Sequence, residues 1–274
     1  MRPAGIGAAA FFFREMPRPP PARGAAAPKG RPAEARRAAR LAALIGLGGK
    51  GARLAERLAA EGVKGRAGLL RRLADLPAEA RANVVFRPER AFRDGAALAA
   101  EVVRRLRFGG RRRPEVIPVG SVRRGAARAN DLDFLVVAPG AALDPGFLGA
   151  ARLARGRPGD RLVLAAAYAQ GPRRRGVILC QGARAFRADL FLATPAERPF
   201  ALFHFTGPAA YNVRTRAAAR RRGLRLSQYG LAVAATGRRA PGAAGVRTEA
   251  DLARLLGVRV RAPGARGGGL SAPG

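Results

Sequence analysis

Gly120-Ser121-Val122-Arg123-Arg124-Gly125, followed by Asn130-Asp131-Leu132-Asp133-Phe134-Leu135-Val136-Val137, is the stretch on which the fold turns. The strand candidate Val116-Ile117-Pro118-Val119 ends immediately before it, so Gly-Ser opens a turn into a short helix. Backbone N–H groups exposed at such a terminus, with a hydroxyl and a guanidinium beside them, make a phosphate cradle. Ten residues after Ser121, two carboxylates stand at i and i+2 at the start of the strand Leu132 to Val137. Strand alternation puts both on one face of a sheet. They repel unless a cation lies between them, and hard oxygen ligands suit Mg²⁺ or Mn²⁺.

A third carboxylate, Asp189, lies in Phe186-Arg187-Ala188-Asp189-Leu190-Phe191-Leu192, a strand able to pair beside the first. Three aspartates on adjacent strands can hold two metal ions. Asp-x-Asp alone reads equally well as a solvated strand end. The Gly-Ser before it and the later Asp189 favour chemistry. Glu249-x-Asp251 has the same spacing but opens a helix, where complementing the dipole is a sufficient account.

Outward from this centre, Arg161 to Leu164 and Gly176 to Cys180 read as further strands, joined by the turn Gly171-Pro172-Arg173-Arg174. On the N-terminal side, helices are expected over Pro32 to Leu44, Leu69 to Leu76 and Ala96 to Leu106. The last has the stripe Leu98, Val102, Val103 and Leu106, with Arg104, Arg105 and Arg107 largely outside it. On the C-terminal side, a helix over Ala209 to Arg222 is followed by one capped by Thr248 and stopped by Gly257. The expected organisation is a disordered Pro/Ala-rich tail over 1–32, a helical unit over 33–95, an α/β core over 96–200, a small α+β unit over 201–262 and a disordered tail over 263–274.

The 274 residues carry 52 Lys+Arg against 18 Asp+Glu, a net charge of +34 that calls for a polyanionic partner. The three lysines are Lys29, Lys50 and Lys64, so arginine dominates, and part of that excess is consistent with a GC-rich coding sequence. The arginine runs 111–113, 173–175 and 220–222 are solvated faces or phosphate contacts, and the sparse acidic compensation favours phosphate for some of them. The lone Cys180 and the lone His204 exclude a disulfide scaffold and His-cluster metal sites and disfavour a Ser-His-Asp triad. Cys180, Phe191 and Phe203 read as core. No apolar run is long enough for a bilayer span, and Gly5 to Phe13 does not read as a signal peptide. A soluble intracellular monomer without membrane contact is expected.

The Gly-Ser, Arg-Arg-Gly and Asp-x-Asp pattern resembles the nucleotidyltransferase superfamily. The blocks His204-Phe205-Thr206-Gly207-Pro208, Tyr211-Asn212, Arg216 and Leu226-Ser227-Gln228-Tyr229-Gly230-Leu231 narrow the resemblance to the family X DNA polymerases, and the wording is similar to the minimal members of large DNA viruses. Ile45-Gly46-Leu47-Gly48, then Lys50 and Ala52, looks like the family's helix-hairpin-helix. The resemblance runs from about residue 41 to residue 262.

It implies an α+β fold with a nucleotidyltransferase palm, preceded by a hairpin subdomain and followed by a small α+β subdomain. Asp131, Asp133 and Asp189 match the metal-binding triad for two Mg²⁺ ions (Mn²⁺ as an alternative), with Asp189 accepting the primer hydroxyl proton. Gly120, Ser121 and Arg124 match the triphosphate cradle, and Arg187 a basic residue near the primer end. His204, Phe205 and Gly207 match the segment packing on the sugar, and Asn212 and Arg216 match residues facing the nascent base pair and the template. Gly46, Gly48 and Lys50 match the DNA grip. Asn130 is counted with the nucleotide-binding residues, but it stands where many members have Gly, and Ala129 where many have Ser, so one triphosphate contact there is lost or replaced. Ala209 and His204 also depart from the common pattern. Lys29 alone precedes the hairpin, so no lyase activity is expected. The expected function is template-directed dNTP addition in short DNA gaps. The alternatives are template-independent terminal transfer and an inactive DNA-end-binding protein.

Overall fold

In a computed structural model, which describes residues 32–109, 113–139, 146–156, 161–259 and 261–266, the chain runs α1 (Pro32–Ile45), α2 (Gly48–Ala60), α3 (Gly65–Arg71), α4 (Ala78–Phe86), α5 (Gly95–Arg105), β1 (Leu106–Arg107), β2 (Glu115–Pro118), α6 (Gly120–Arg123), β3 (Leu132–Val137), β4 (Arg152–Leu153), β5 (Leu162–Gln170), β6 (Arg174–Gln181), β7 (Arg184–Ala193), α7 (Arg198–Thr206), α8 (Ala209–Arg221), β8 (Leu224–Ser227), β9 (Gly230–Val233) and α9 (Glu249–Leu256). The readings of residues 1–31, Arg111, Arg112 and 267–274, and of the Lys50 side chain, lie outside the described residues.

The run Leu-Asp-Phe-Leu-Val-Val becomes β3, flanked on both sides in a five-stranded sheet of order β2-β3-β7-β6-β5. Burial on both faces explains its near-continuous apolar character. β3 pairs antiparallel with β2 and parallel with β7, whereas β7, β6 and β5 run antiparallel in turn. The architecture is α+β, with a mixed sheet between helical and mixed flanking units.

The two faces of the sheet divide the labour. Leu132, Phe134, Val136, Leu190 and Leu192 share a core with Leu98, Ala99 and Val102 of α5. On the opposite face, Leu135, Val137 and Ala193 are covered by Ala201 and Leu202 of α7. Asp133 and Asp189 occupy that same face two residues before this apolar set begins. The site is the uncovered start of the face that α7 closes.

α1 to α4 enclose their own core, Leu41, Ile45, Leu58, Leu69 and Val84 among its members. The turn between α1 and α2 is locked by the buried Asn83 amide donating to the Ile45 carbonyl at 2.9 Å. The connector to the sheet is constrained: Arg87 and Ala91 both have positive φ, 50° and 56°. Arg184 clamps that connector by bonding the carboxylates of Glu89 and Asp94.

Arg105, expected largely outside the stripe, is buried inside α5's contact face, donating to the carbonyls of Ala154 and Leu162 and pairing with Glu101. Its position, seven residues after Leu98, puts it on the apolar stripe. The expected tail over 263–274 begins too early: Pro263–Ala265 forms a 3-10 turn, and Arg266 is fully buried. The run 173–175 is more than a solvated face, although the Arg174 side chain stays half exposed. Arg173 pairs with Glu197, Arg174 with Asp189, and Arg175 donates to the carbonyls of Leu148, Gly149 and Ala151.

The C-terminal helix follows its sequence signals. Thr248 and Asp251 form a reciprocal capping box and Gly257 ends α9 in the left-handed region. Glu249, however, does more than meet the dipole. It bonds Arg123 of α6 at 2.8 Å and the buried Arg266 at 2.7 Å. This ties the C-terminal unit to the Gly-Ser turn.

Candidate active site

β3 and β7 lie in register with Asp133 beside Asp189. Asp131, one residue before β3, falls on the same face by alternation. Gly120 (φ 60°) makes the close approach: a Cβ there would fall 3.0 Å from Asp133 Cγ and nearer still to its carboxylate oxygen. Any side chain at 120 would therefore displace Asp133. Val119 N–H donates to the Asp133 carbonyl, which pins the turn to the strand.

The carboxylates feel one another. Burial, then the charges of Asp131 and Asp189, push the Asp133 carboxyl up to about 7. Asp131 moves the same way, by burial and then Asp189, against the pull of Arg187 and Arg174. Ser121 Oγ, in the Gly-Ser turn, is buried with no hydrogen-bond partner. Among the described residues no three His, Cys, Asp or Glu side chains already form a metal-holding group. Yet a strongly disfavoured carboxylate pair and an unsatisfied hydroxyl are the donor chemistry a divalent cation with a phosphate would complete.

Asp189 has partners that its sequence neighbourhood did not announce. Tyr168 of β5 donates to Oδ1 at 3.1 Å, and Arg174 of β6 reaches Oδ1 at 3.2 Å and Oδ2 at 3.1 Å. The nearest sequence signal was the arginine run itself, which gives no indication of which arginine turns inward.

The other expected residues divide. Arg124 donates to the Thr206 carbonyl at 2.6 Å and lies against Gly207, so the cradle and the Phe-Thr-Gly block meet. Arg187 stands beside the centre, but its guanidinium is taken by Glu79 and lies over the Tyr168 ring at 4.7 Å. Phe205 stacks on Phe191 with ring centres 4.0 Å apart. Both rings are partly buried against the core under α7.

Asn130 is turned away from the cradle: its side-chain oxygen accepts from Ala91 N–H at 3.0 Å, which anchors the connector. Asn212 donates to the His204 carbonyl at 2.7 Å, and Arg216 Nη2 lies 3.2 Å from His204 Nδ1. Burial and then the Arg216 charge pull the His204 ring down to about 4, so it is a neutral acceptor toward Arg216. Gly46 is filled from the protein side, its Cα facing Asn83 and Arg90, whereas Gly48 is open. Gly46, Asn83, Arg90, Asp131 and Arg187 line one cavity of about 490 Å³ between the hairpin and the aspartates.

A mixed sheet bearing in-register carboxylates beside a Gly-Ser turn defines the class: a nucleotidyltransferase palm. The fold aligns with Leishmania infantum polymerase beta, solved as a ternary P/T complex, with TM-score 0.60 and 21% identity, over 84% of this chain and 99% of that one. Residues 201–267 match the family described as DNA polymerase beta thumb. The Repair DNA polymerase X of an African swine fever virus isolate (Pig/Kenya) is 33% identical over 148 residues, 54% of this chain and 79% of that protein. That of the Badajoz strain is 34% identical over 116 residues. Rat DNA polymerase lambda is 32% identical over 162 residues, 55% of this chain and 28% of that protein. The chain belongs to the family X DNA polymerases. It spans 63% of the Badajoz relative's length.

Proposed function

We propose that this chain is a template-directed DNA polymerase that adds dNTPs to a primer 3′-hydroxyl in short gaps, as a monomer acting on duplex DNA inside a cell. The observation that carries this reading is the in-register pair Asp133 and Asp189 beside the tight Gly120 turn with its orphan Ser121 hydroxyl. Asp131, Asp133 and Asp189 would hold two Mg²⁺ ions, which when bound supply charge neutralisation and Lewis-acid activation at the reacting phosphate. Ser121, Arg124 and the Gly120 backbone bind and orient the triphosphate. Asp189 accepts the proton of the primer hydroxyl, and Arg187 offers positive charge near the primer end. The Phe205–Phe191 stack supports the sugar of the incoming nucleotide. Gly48, open on its surface, and Lys50 grip the strand behind the site, and the surplus of arginine makes binding steeply salt-dependent.

A specific observation favours a second reading, template-independent terminal transfer. Asn212 and Arg216 are both engaged by His204 and not turned outward. Extension of a labelled primer on a one-nucleotide-gapped duplex, with each dNTP singly and Mg²⁺, separates the cases. Insertion of only the templated nucleotide, abolished by Asp131→Asn/Asp133→Asn, supports the polymerase. Indiscriminate addition supports terminal transfer. Tight binding without extension refutes both.

A further inference from the structure

Tyr168 has no motif around it, yet four features of the chain converge on its hydroxyl. On β5, Ala167 pairs with Val177 and Ala169 with Gly176, so Tyr168 is the extra residue of a β-bulge. A bulge on an edge strand re-aims one side chain, and here it is this one. The partner strand offers a hole for it. Gly176 stands directly opposite Asp189, and a Cβ there would come 2.5 Å from Tyr168 Cζ. Only glycine lets the ring lie across β6. Arg187 holds the ring by its guanidinium at 4.7 Å, and Ala82, Ile178 and Ala185 pack around it, leaving Tyr168 4% exposed. The hydroxyl so fixed donates to Asp189 Oδ1.

The other partner of Asp189 differs in kind. The Arg174 side chain is 48% exposed and long, so it can leave. Tyr168 cannot. The carboxylate therefore has one removable cation and one permanent neutral donor.

We propose that Tyr168 is a positioning residue for Asp189: through the bulge and the Gly176 hole it fixes the plane of that carboxylate. When Arg174 withdraws, Oδ2 is presented toward the reacting hydroxyl while Oδ1 stays held. The inference rests on the reading of Asp189 as the group that receives the primer proton. It assigns the set of Tyr168, Gly176 and the bulge a purpose that core packing does not require, because a phenylalanine would fill the same space without a donor.

Tyr168→Phe keeps the ring, the packing and the guanidinium of Arg187 over the ring, and removes the hydroxyl with its bond to Asp189 and its polar contact with Arg187. In single-turnover insertion into a one-nucleotide gap, the rate constant of the chemical step should fall about tenfold. The dNTP and DNA dissociation constants should stay unchanged, a split that general loosening would not give. Gly176→Ala should slow the same step, and the double variant should be no slower than the worse single one, because both act through one hydrogen bond. Independently of turnover, the Asp189 side-chain ¹³C carboxyl resonance of the metal-free protein, assigned by its loss in Asp189→Asn, should move in Tyr168→Phe. An unchanged rate constant, or an unmoved Asp189 resonance, would overturn the inference. An unaltered chain that inserts nothing would fail the functional reading instead, and the metal-free resonance would still decide this one.

Discussion

β3 and β7 bring two aspartates to the same level of the same face, and the chain treats them in opposite ways. Asp133, on β3, is pressed by Gly120 on one side, and burial, then the charges of Asp131 and Asp189, push its carboxyl up to about 7. Asp189, one strand over, is given a bidentate arginine and a tyrosine hydroxyl. One carboxylate is left in want of a cation and the other is kept supplied. The difference teaches where the centre is unfinished: it is the β3 side, next to the orphan Ser121 hydroxyl, that a metal and a phosphate would complete.

The contrast can be broken most severely at a third carboxylate, Glu249, which is also supplied with arginines but is structural. Glu249→Gln would leave Arg266, whose side chain is 1% exposed, with carbonyls and rings but no counter-charge, and loosen Arg123. Denaturant unfolding should show a loss of about 3 kcal/mol or more, large against the stability of a typical domain.

A smaller effect comes from pH. Asp133 is raised in the folded state, so the native metal-free protein binds more protons than the unfolded chain between about pH 4 and about 7. Its contribution therefore turns against folding as pH rises through that window, with the full cost above about 7. At pH 8 without metal, Asp133→Asn should melt roughly 5–10 °C above the unaltered chain. At pH 4 the two should coincide.

Arg174→Gln sharpens the comparison from the other side. Removing the resident cation should tighten Mn²⁺ binding to the DNA-free protein on the order of threefold, read by paramagnetic resonance titration. Weaker binding would mean that Arg174 helps assemble the site and is not displaced from it. The smallest change is expected at Glu115, paired with Arg198 on the surface with both side chains more than a third exposed. Glu115→Gln should cost about 0.5 kcal/mol by the same unfolding measurement.

The palm was legible because its signals are local. A buried run flanked by turns, a Gly-Ser pair and carboxylates at i and i+2 announce a strand, a tight turn and a shared face. The capping box at Thr248 and the stop at Gly257 were legible for the same reason. What escaped depends on contacts distant in sequence. Arg123 meets Glu249 across more than a hundred residues, and Tyr168 meets Asp189, two strands away, only because of a bulge on its own strand and a glycine on the strand between. Charge misled most. In a chain so basic the arginine runs were read as solvated faces or phosphate contacts, yet Arg173, Arg174 and Arg175, like Arg105 of the α5 stripe, each find an acid or a cluster of carbonyls of the protein itself. A run of identical residues carries no period from which to tell inward from outward.

The most direct test of the carboxylate centre is thermal melting with and without Mg²⁺ and a dNTP, on the unaltered chain and on Asp131→Asn/Asp133→Asn. At a ligand concentration about a hundred times the dissociation constant, the unaltered chain should gain about 2.7 kcal/mol of stability. The double variant should gain almost nothing. An equal shift in both proteins would place nucleotide and metal elsewhere and contradict the account.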